Sequence, residues 1–127
     1  MRIYIDSRLI VDFLQGNVPY SGAVTNRIAR SGVDTLFTDL SRMECLATAL
    51  RPGSGLTRLD IDVFFAPGVR LALSADIYER AAEIRAAHDF AIADSIHLAA
   101  AAVHGCDEFL TRKRRLKQFA GVRVQVV

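Results

Sequence analysis

Phe90 to Leu116 reads FAIADSIHLAAAAVHGCDEFLTRKRRL, and this stretch decides the fold. Its apolar residues Ile92, Ile96, Ala99, Ala100 and Val103 recur at helical spacing, with Asp94 one turn in. Gly105 is a helix stop. Glu108-Phe109-Leu110-Thr111 then reads as a short buried strand, and Arg112-Lys113-Arg114-Arg115 opens the next element. A helix that feeds a parallel strand runs antiparallel to it. The start of this helix and the end of this strand therefore fall on one edge of the sheet, where α/β folds place their sites. Asp94 and the Thr111–Lys113 turn become candidates for one site.

Working outward, strands and helices alternate. Arg2–Ile5 reads as a strand closed by Asp6, Ser7–Leu14 as a helix, and Tyr20–Arg30 as a second helix opened by Pro19. Val33–Thr38 is a strand, Ser41–Leu50 a helix and Leu56–Phe65 another helix. Val69–Leu73 is a third strand and Ala75–Ala87 a long helix capped by Ser74. After the Asp94 helix and the Glu108–Thr111 strand come a basic helix to about Phe119 and a last strand, Val122–Val126. This alternation predicts an α/β fold with a parallel sheet wrapped by helices.

The totals fit one domain over residues 1–127, large enough to bury a core without staples. The composition, 51% hydrophobic and 24% charged, is that of a globular chain that needs no membrane. A net charge of +2 is too small to argue for nucleic acid, so the placement of charge matters more than its sum. Cys45 and Cys106 lack metal-type spacing and read as unpaired thiols of a cytoplasmic protein. Asp6 interrupts the N-terminal apolar stretch too early for a secretory signal. No apolar run approaches the roughly 20 residues of a membrane span.

Three acids stand where a parallel sheet would gather them: Asp6 after the first strand, Glu44 in the helix after the second, and Asp94. Converging carboxylates repel, and a divalent cation relieves the repulsion; all-oxygen donors suit Mg2+ or Mn2+. Such an ion activates water for phosphodiester hydrolysis. Each acid also has a local reading. Asp6-Ser7 fits a helix cap, Ser41-x-x-Glu44 fits a capping box, and Asp94 suits a helix N-terminus. Their shared edge is what favours a site.

The chain resembles the PIN-domain family, most closely VapC-type toxins of bacterial toxin–antitoxin pairs. The likeness rests on IYIDSRLIVDFL, LSRMECLA and ADSIHLAAAAVHGCDEFLTRKRRL, and it spans nearly the whole chain. It implies a PIN-like fold with a twisted, mostly parallel five-stranded sheet flanked by helices on both faces. It also implies a Mg2+-dependent (or Mn2+-dependent) endoribonuclease with Asp6, Glu44 and Asp94 as catalytic, metal-binding acids, held off by a cognate antitoxin. A homodimer is expected. The family's fourth acid comes two residues after the threonine matching Thr111, and here that position is Lys113. A non-cleaving PIN-fold module that binds RNA or its partner is therefore the alternative.

Asp39, at the end of the second strand, is the candidate replacement acid; Asp107 and Glu108 fall on the opposite edge. Lys113 either bridges the acids or points outward to RNA. Arg112, Lys113, Arg114, Arg115 and Lys117 form either a solvated face or a phosphate-binding run. Arg8 and Arg42 flank the acids. His97 is either structural or a metal partner of Asp94. Leu9, Phe13, Leu59 and Val63 are the expected antitoxin groove. A receiver-type signalling domain fits poorly, because Leu73-Ser74 supplies no phosphoacceptor aspartate at the end of strand three.

Overall fold

The computed structural model describes residues 1–127. At its centre is a five-stranded, all-parallel sheet: β1 (Arg2–Ile5), β2 (Asp34–Phe37), β3 (Val69–Arg70), β4 (Glu108–Thr111) and β5 (Val124–Val126). The strand order is β3-β2-β1-β4-β5. Six helices connect the strands: α1 (Ser7–Gln15), α2 (Tyr20–Ile28), α3 (Asp39–Ala49), α4 (Arg58–Phe65), α5 (Ala75–His88) and α6 (Ile92–Val103).

The period-2 alternation of the strands sorts side chains into two cores. Tyr4 and Phe109 point to one face and stack at 5.4 Å, beneath Ile77, Ile84, Leu98 and the alanines of α6. Ile3, Ile5 and Leu110 point to the other, where they meet Leu9, Ile10, Val24, Cys45 and Ile61. Helices thus cover both faces. The alanines at 99–101 are fully buried, and their small size lets α6 lie close against the sheet. Gly105, at φ +66°, turns the chain out of α6 and into β4.

Four local expectations change. Helix α3 begins at Asp39, not Ser41, because Thr38 caps it: Ser41 N–H donates to Thr38 Oγ1, and Thr38 N–H donates back to Ser41 Oγ. The capping box is Thr38–Ser41, so Glu44 is released from any capping role. The basic segment after β4 is a five-residue 3-10 turn, Arg114–Gln118, rather than a helix. Strand β3 is only two residues long, and β5 starts at Val124. Leu9 is fully buried, so it lines no surface groove; Phe13 is half-buried against the core, and Leu59 and Val63 are 68% and 65% exposed.

Candidate active site

The strand order reverses direction between β1 and β4, and α/β sheets form their crevices at such a switch point, beyond the carboxyl ends of the strands. Ile5 lies beside Leu110 there, and Asp6 N–H donates to the Leu110 carbonyl at 2.9 Å. Asp6 and Thr111 are therefore neighbours by topology. Asp6 stands at the N-cap of α1, but its side chain makes no capping bond. Its Oδ2 accepts instead from Thr111 Oγ1 at 2.8 Å, and that hydroxyl accepts from Lys113 N–H at 3.0 Å.

Glu44 reaches the same edge from the second turn of α3. Its Oε1 accepts from Ser7 Oγ at 3.0 Å and from His97 Nε2 at 2.5 Å. Burial raises its pKa, but the His97 hydrogen bond and charge, the Ser7 hydroxyl and the charge of Lys113 together outweigh this, and the carboxyl sits below its usual range. His97 is buried, and its Nδ1 lies 2.6 Å from the Tyr4 hydroxyl. His97 is thus a partner of Glu44, not a metal partner of Asp94.

Asp94, in the first turn of α6, accepts from Lys113 Nζ at 2.6 Å. The lysine side chain is 42% exposed and that of Asp94 13%. Desolvation lowers the pKa of Lys113. The charge of Asp6, the hydrogen bond and charge of Asp94, and the charge of Glu44 together raise it further than burial lowers it. One ammonium is thus under the field of all three acids. Each acid has one oxygen held by a protein donor, and no protein donor reaches Asp6 Oδ1, Glu44 Oε2 or Asp94 Oδ2.

Those oxygens are hard donors of the type that Mg2+ and Mn2+ prefer. Their arrangement does not fit such an ion: no three His, Cys, Asp or Glu side chains gather closely enough to hold one. The reason is local. Lys113 is drawn onto Asp94, and Glu44 is drawn toward His97 and Ser7. A cavity of about 150 Å³ lined by Ser7, Arg8, Val11, Glu44 and Thr48 opens beside Glu44.

The remaining candidates lie elsewhere. Asp39 is held by Arg70 Nε at 2.6 Å and Nη2 at 2.5 Å, which keeps its carboxyl below the usual range; its other charged neighbour is Arg42, not Lys113. Arg112 does not face the acids. It bonds Asp12 Oδ2 at 2.8 Å and lies 3.9 Å over the Tyr20 ring, tying α1 and α2 to the end of β4. Arg42 pairs with Asp62. Arg8 is 56% exposed beside the Glu44 cavity, at 3.8 Å from Asp12. Arg115 donates to the carbonyls of His88 and Asp89, while Arg114 and Lys117 are exposed. Asp107 and Glu108 occupy the far edge; Asp107 accepts from the Arg2 amide and Glu108 is ion-paired with Arg27. Cys45 and Cys106 are free and buried.

Sequence reasoning missed Tyr4, Thr38, Ser41 and Ser7 as parts of the site. The only sequence signal for them was a polar residue inside an otherwise apolar strand or at a helix start.

A parallel sheet of this strand order, with acids from the β1–α1 junction, α3 and α6 on the edge of its switch point, is the arrangement of a PIN-type domain. The PIN domain sequence model matches residues 3–122, and the chain belongs to that family. Among solved structures it is similar to VapBC2 from Rickettsia felis bound to a DNA fragment from its promoter, with TM-score 0.79, 10% identity, and coverage of 100% of this chain and 99% of that one. It is similar to a toxin–antitoxin complex from Klebsiella pneumoniae, with TM-score 0.74, 20% identity and 94% coverage of each chain. It is also similar to VapC20 of Mycobacterium tuberculosis, a toxin that cleaves the sarcin-ricin loop, with TM-score 0.68, 15% identity and coverage of 84% and 86%. No curated protein matches the sequence. No helix is long and apolar enough to cross a membrane.

Proposed function

We propose that this chain is the RNA-cleaving toxin of a toxin–antitoxin pair, acting in the cytoplasm, with Asp6, Glu44 and Asp94 as its catalytic acids. One arrangement carries the reading: Asp6, Glu44 and Asp94, from three separate elements, stand on one edge of the sheet, where Lys113 Nζ bonds Asp94 at 2.6 Å. A structural salt bridge needs one acid, and local capping needs none of these three to converge. The similarity to toxin chains, one of them an RNA-cleaving toxin, supports RNA as the substrate class.

Family members of this kind use Mg2+ or Mn2+, which supplies a bound water of lowered pKa and charge beside a phosphate. The acids as placed do not offer such an ion a three-ligand site. The chain's own residues hold the acids apart in defined orientations. Thr111 fixes Asp6, Ser7 and His97 fix Glu44, and Lys113 neutralises Asp94. Arg114 and Lys117, exposed beside this edge, suit RNA phosphates. The antitoxin would cover the same edge. The exposed Leu59 and Val63 of α4 remain candidates for its apolar contacts.

The Lys113–Asp94 bond favours a second reading, a PIN-fold module that binds RNA or its partner without cleaving. Incubating purified protein with RNA in Mg2+ or Mn2+, with and without EDTA, separates the two. EDTA-sensitive cleavage supports the toxin reading; intact RNA that is nevertheless bound supports the module.

A further inference from the structure

Beneath Glu44 lies a buried polar chain that packing alone does not require. Tyr4 and Thr38 are fully buried, as is Ser41, and His97 is 1% exposed. Burying four such groups costs free energy unless each finds a hydrogen-bond partner. All four do. The Tyr4 hydroxyl lies 3.1 Å from both Thr38 Oγ1 and Ser41 Oγ, and 2.6 Å from His97 Nδ1. His97 Nε2 lies 2.5 Å from Glu44 Oε1. A carboxylate accepts and does not donate, so the proton in this last bond belongs to Nε2.

The chain therefore runs from the cap of α3, through the central strand and α6, back to a carboxylate on α3. It ends on one oxygen only. Ser7 and His97 both bond Oε1, and no protein donor reaches Oε2. Two donors on one oxygen restrain the carboxylate and leave the other oxygen without a protein partner. Position 97 lies in an apolar run, Leu98-Ala99-Ala100-Ala101, where a leucine would fill the space without needing partners. The ring is also tilted against Tyr4, with centroids 5.6 Å apart, so both nitrogens are held in fixed directions.

We propose that His97 is the positioning residue for Glu44: its Nε2–H, aimed by the Tyr4 hydroxyl at Nδ1, locks Oε1 and leaves Oε2 as the free oxygen with which Glu44 acts in the site. The assignment deepens the nuclease reading and rests on it for the role of Glu44. The hydrogen-bond arrangement itself stands independently of cleavage. Tyr4 burial raises the phenol pKa, so the hydroxyl keeps its proton and remains available to the ring.

The test has a spectroscopic arm and a kinetic arm, both on the full chain. In 15N NMR of the imidazoles at constant pH, the ring lost in His97→Gln identifies His97. Its Nε2 is expected to carry a proton, with a resonance that moves in Glu44→Gln. An unprotonated Nε2, or one indifferent to Glu44→Gln, overturns the proposal. In single-turnover RNA cleavage, His97→Leu is expected to lose about 10- to 100-fold in rate with RNA affinity nearly unchanged, the scale on which losing a hydrogen-bond partner that orients a metal-binding side chain acts. His97→Gln, whose amide N–H reaches the same oxygen, is expected to recover most of the loss. Equal rates for His97→Leu and wild type, or no recovery in His97→Gln, overturn it. Should His97→Leu fail to fold, Tyr4→Phe removes only the hydroxyl, and an unaltered rate and an unaltered Nε2 resonance there overturn it equally. A wild-type protein that cleaves no RNA refutes the nuclease reading, while the NMR arm still decides the positioning bond.

Discussion

Replacing Lys113 with Met removes the ammonium from Asp94 while keeping an unbranched apolar stem only one atom shorter. In the wild type, an incoming dication meets a positive charge already bonded to one of its donors at 2.6 Å. It must break that bond before it can use Asp94. A hydrogen bond between charged groups is worth about 1.5–3 kcal/mol net, and every 1.4 kcal/mol is about tenfold in affinity. The lysine side chain is 42% exposed, which screens the pair and selects the lower end, about tenfold. The account therefore predicts that Lys113→Met binds Mn2+ about tenfold more tightly than wild type in calorimetric titration. Lys113→Asp, which adds a carboxylate, binds more tightly again. Arg114→Met removes a nearby cation that touches none of the acids and serves as the control for net charge. Equal affinity in wild type and Lys113→Met would refute the reasoning, as would an equal gain from Arg114→Met.

Other residues give further tests. Thr111→Val deprives buried Asp6 of its hydroxyl donor and the Lys113 amide of its acceptor, and is expected to lower stability by about 1–3 kcal/mol in urea unfolding; no change would mean that water replaces the hydroxyl without cost. Arg112→Ala leaves the buried Asp12 carboxylate with Asn17 as its remaining close donor and uncovers Tyr20, so a loss of roughly 3 kcal/mol is expected, with RNA affinity per folded molecule unchanged. Loss of RNA affinity without loss of stability would return Arg112 to the phosphate-binding run. Glu44 has a lowered folded pKa, so its contribution to stability is present above about pH 4.5 and lost as pH falls through the folded value. The stability difference between wild type and Glu44→Gln should therefore shrink on acidification below that point, and parallel pH profiles would contradict the assigned shift.

Much of this architecture was legible in the chain. The apolar period of α6, the Gly105 stop and the buried run Glu108–Thr111 are strong local signals, and the alternation of elements leaves little choice but a parallel sheet. That Asp6, Glu44 and Asp94 stand on one edge follows from that topology, although they do not close into a three-ligand cluster. The details that failed were decided by competition between neighbours. Ser41-x-x-Glu44 matches a capping box, but Thr38 lies three residues earlier and captures Ser41 first. The basic run looked like one surface, yet Arg112 turns away because Asp12 is buried and needs a cation, a demand visible only in three dimensions. Leu9 and Leu59 share a residue type and a helical setting, and only packing shows that the first is core and the second is surface. His97 on an alanine-rich helix gave no sequence clue to its partners, because Tyr4 and Glu44 lie 93 and 53 residues away.

Under the proposed function, Asp6, Glu44 and Asp94 form one RNA-cleaving centre. The most direct measurement is single-turnover cleavage of end-labelled RNA by wild type and by Asp6→Asn, an isosteric change whose side-chain oxygen can still accept from Thr111. The wild type is expected to cleave, and Asp6→Asn is expected to stay folded and lose cleavage. Equal cleavage by both proteins, or none by the wild type with either Mg2+ or Mn2+, would contradict it.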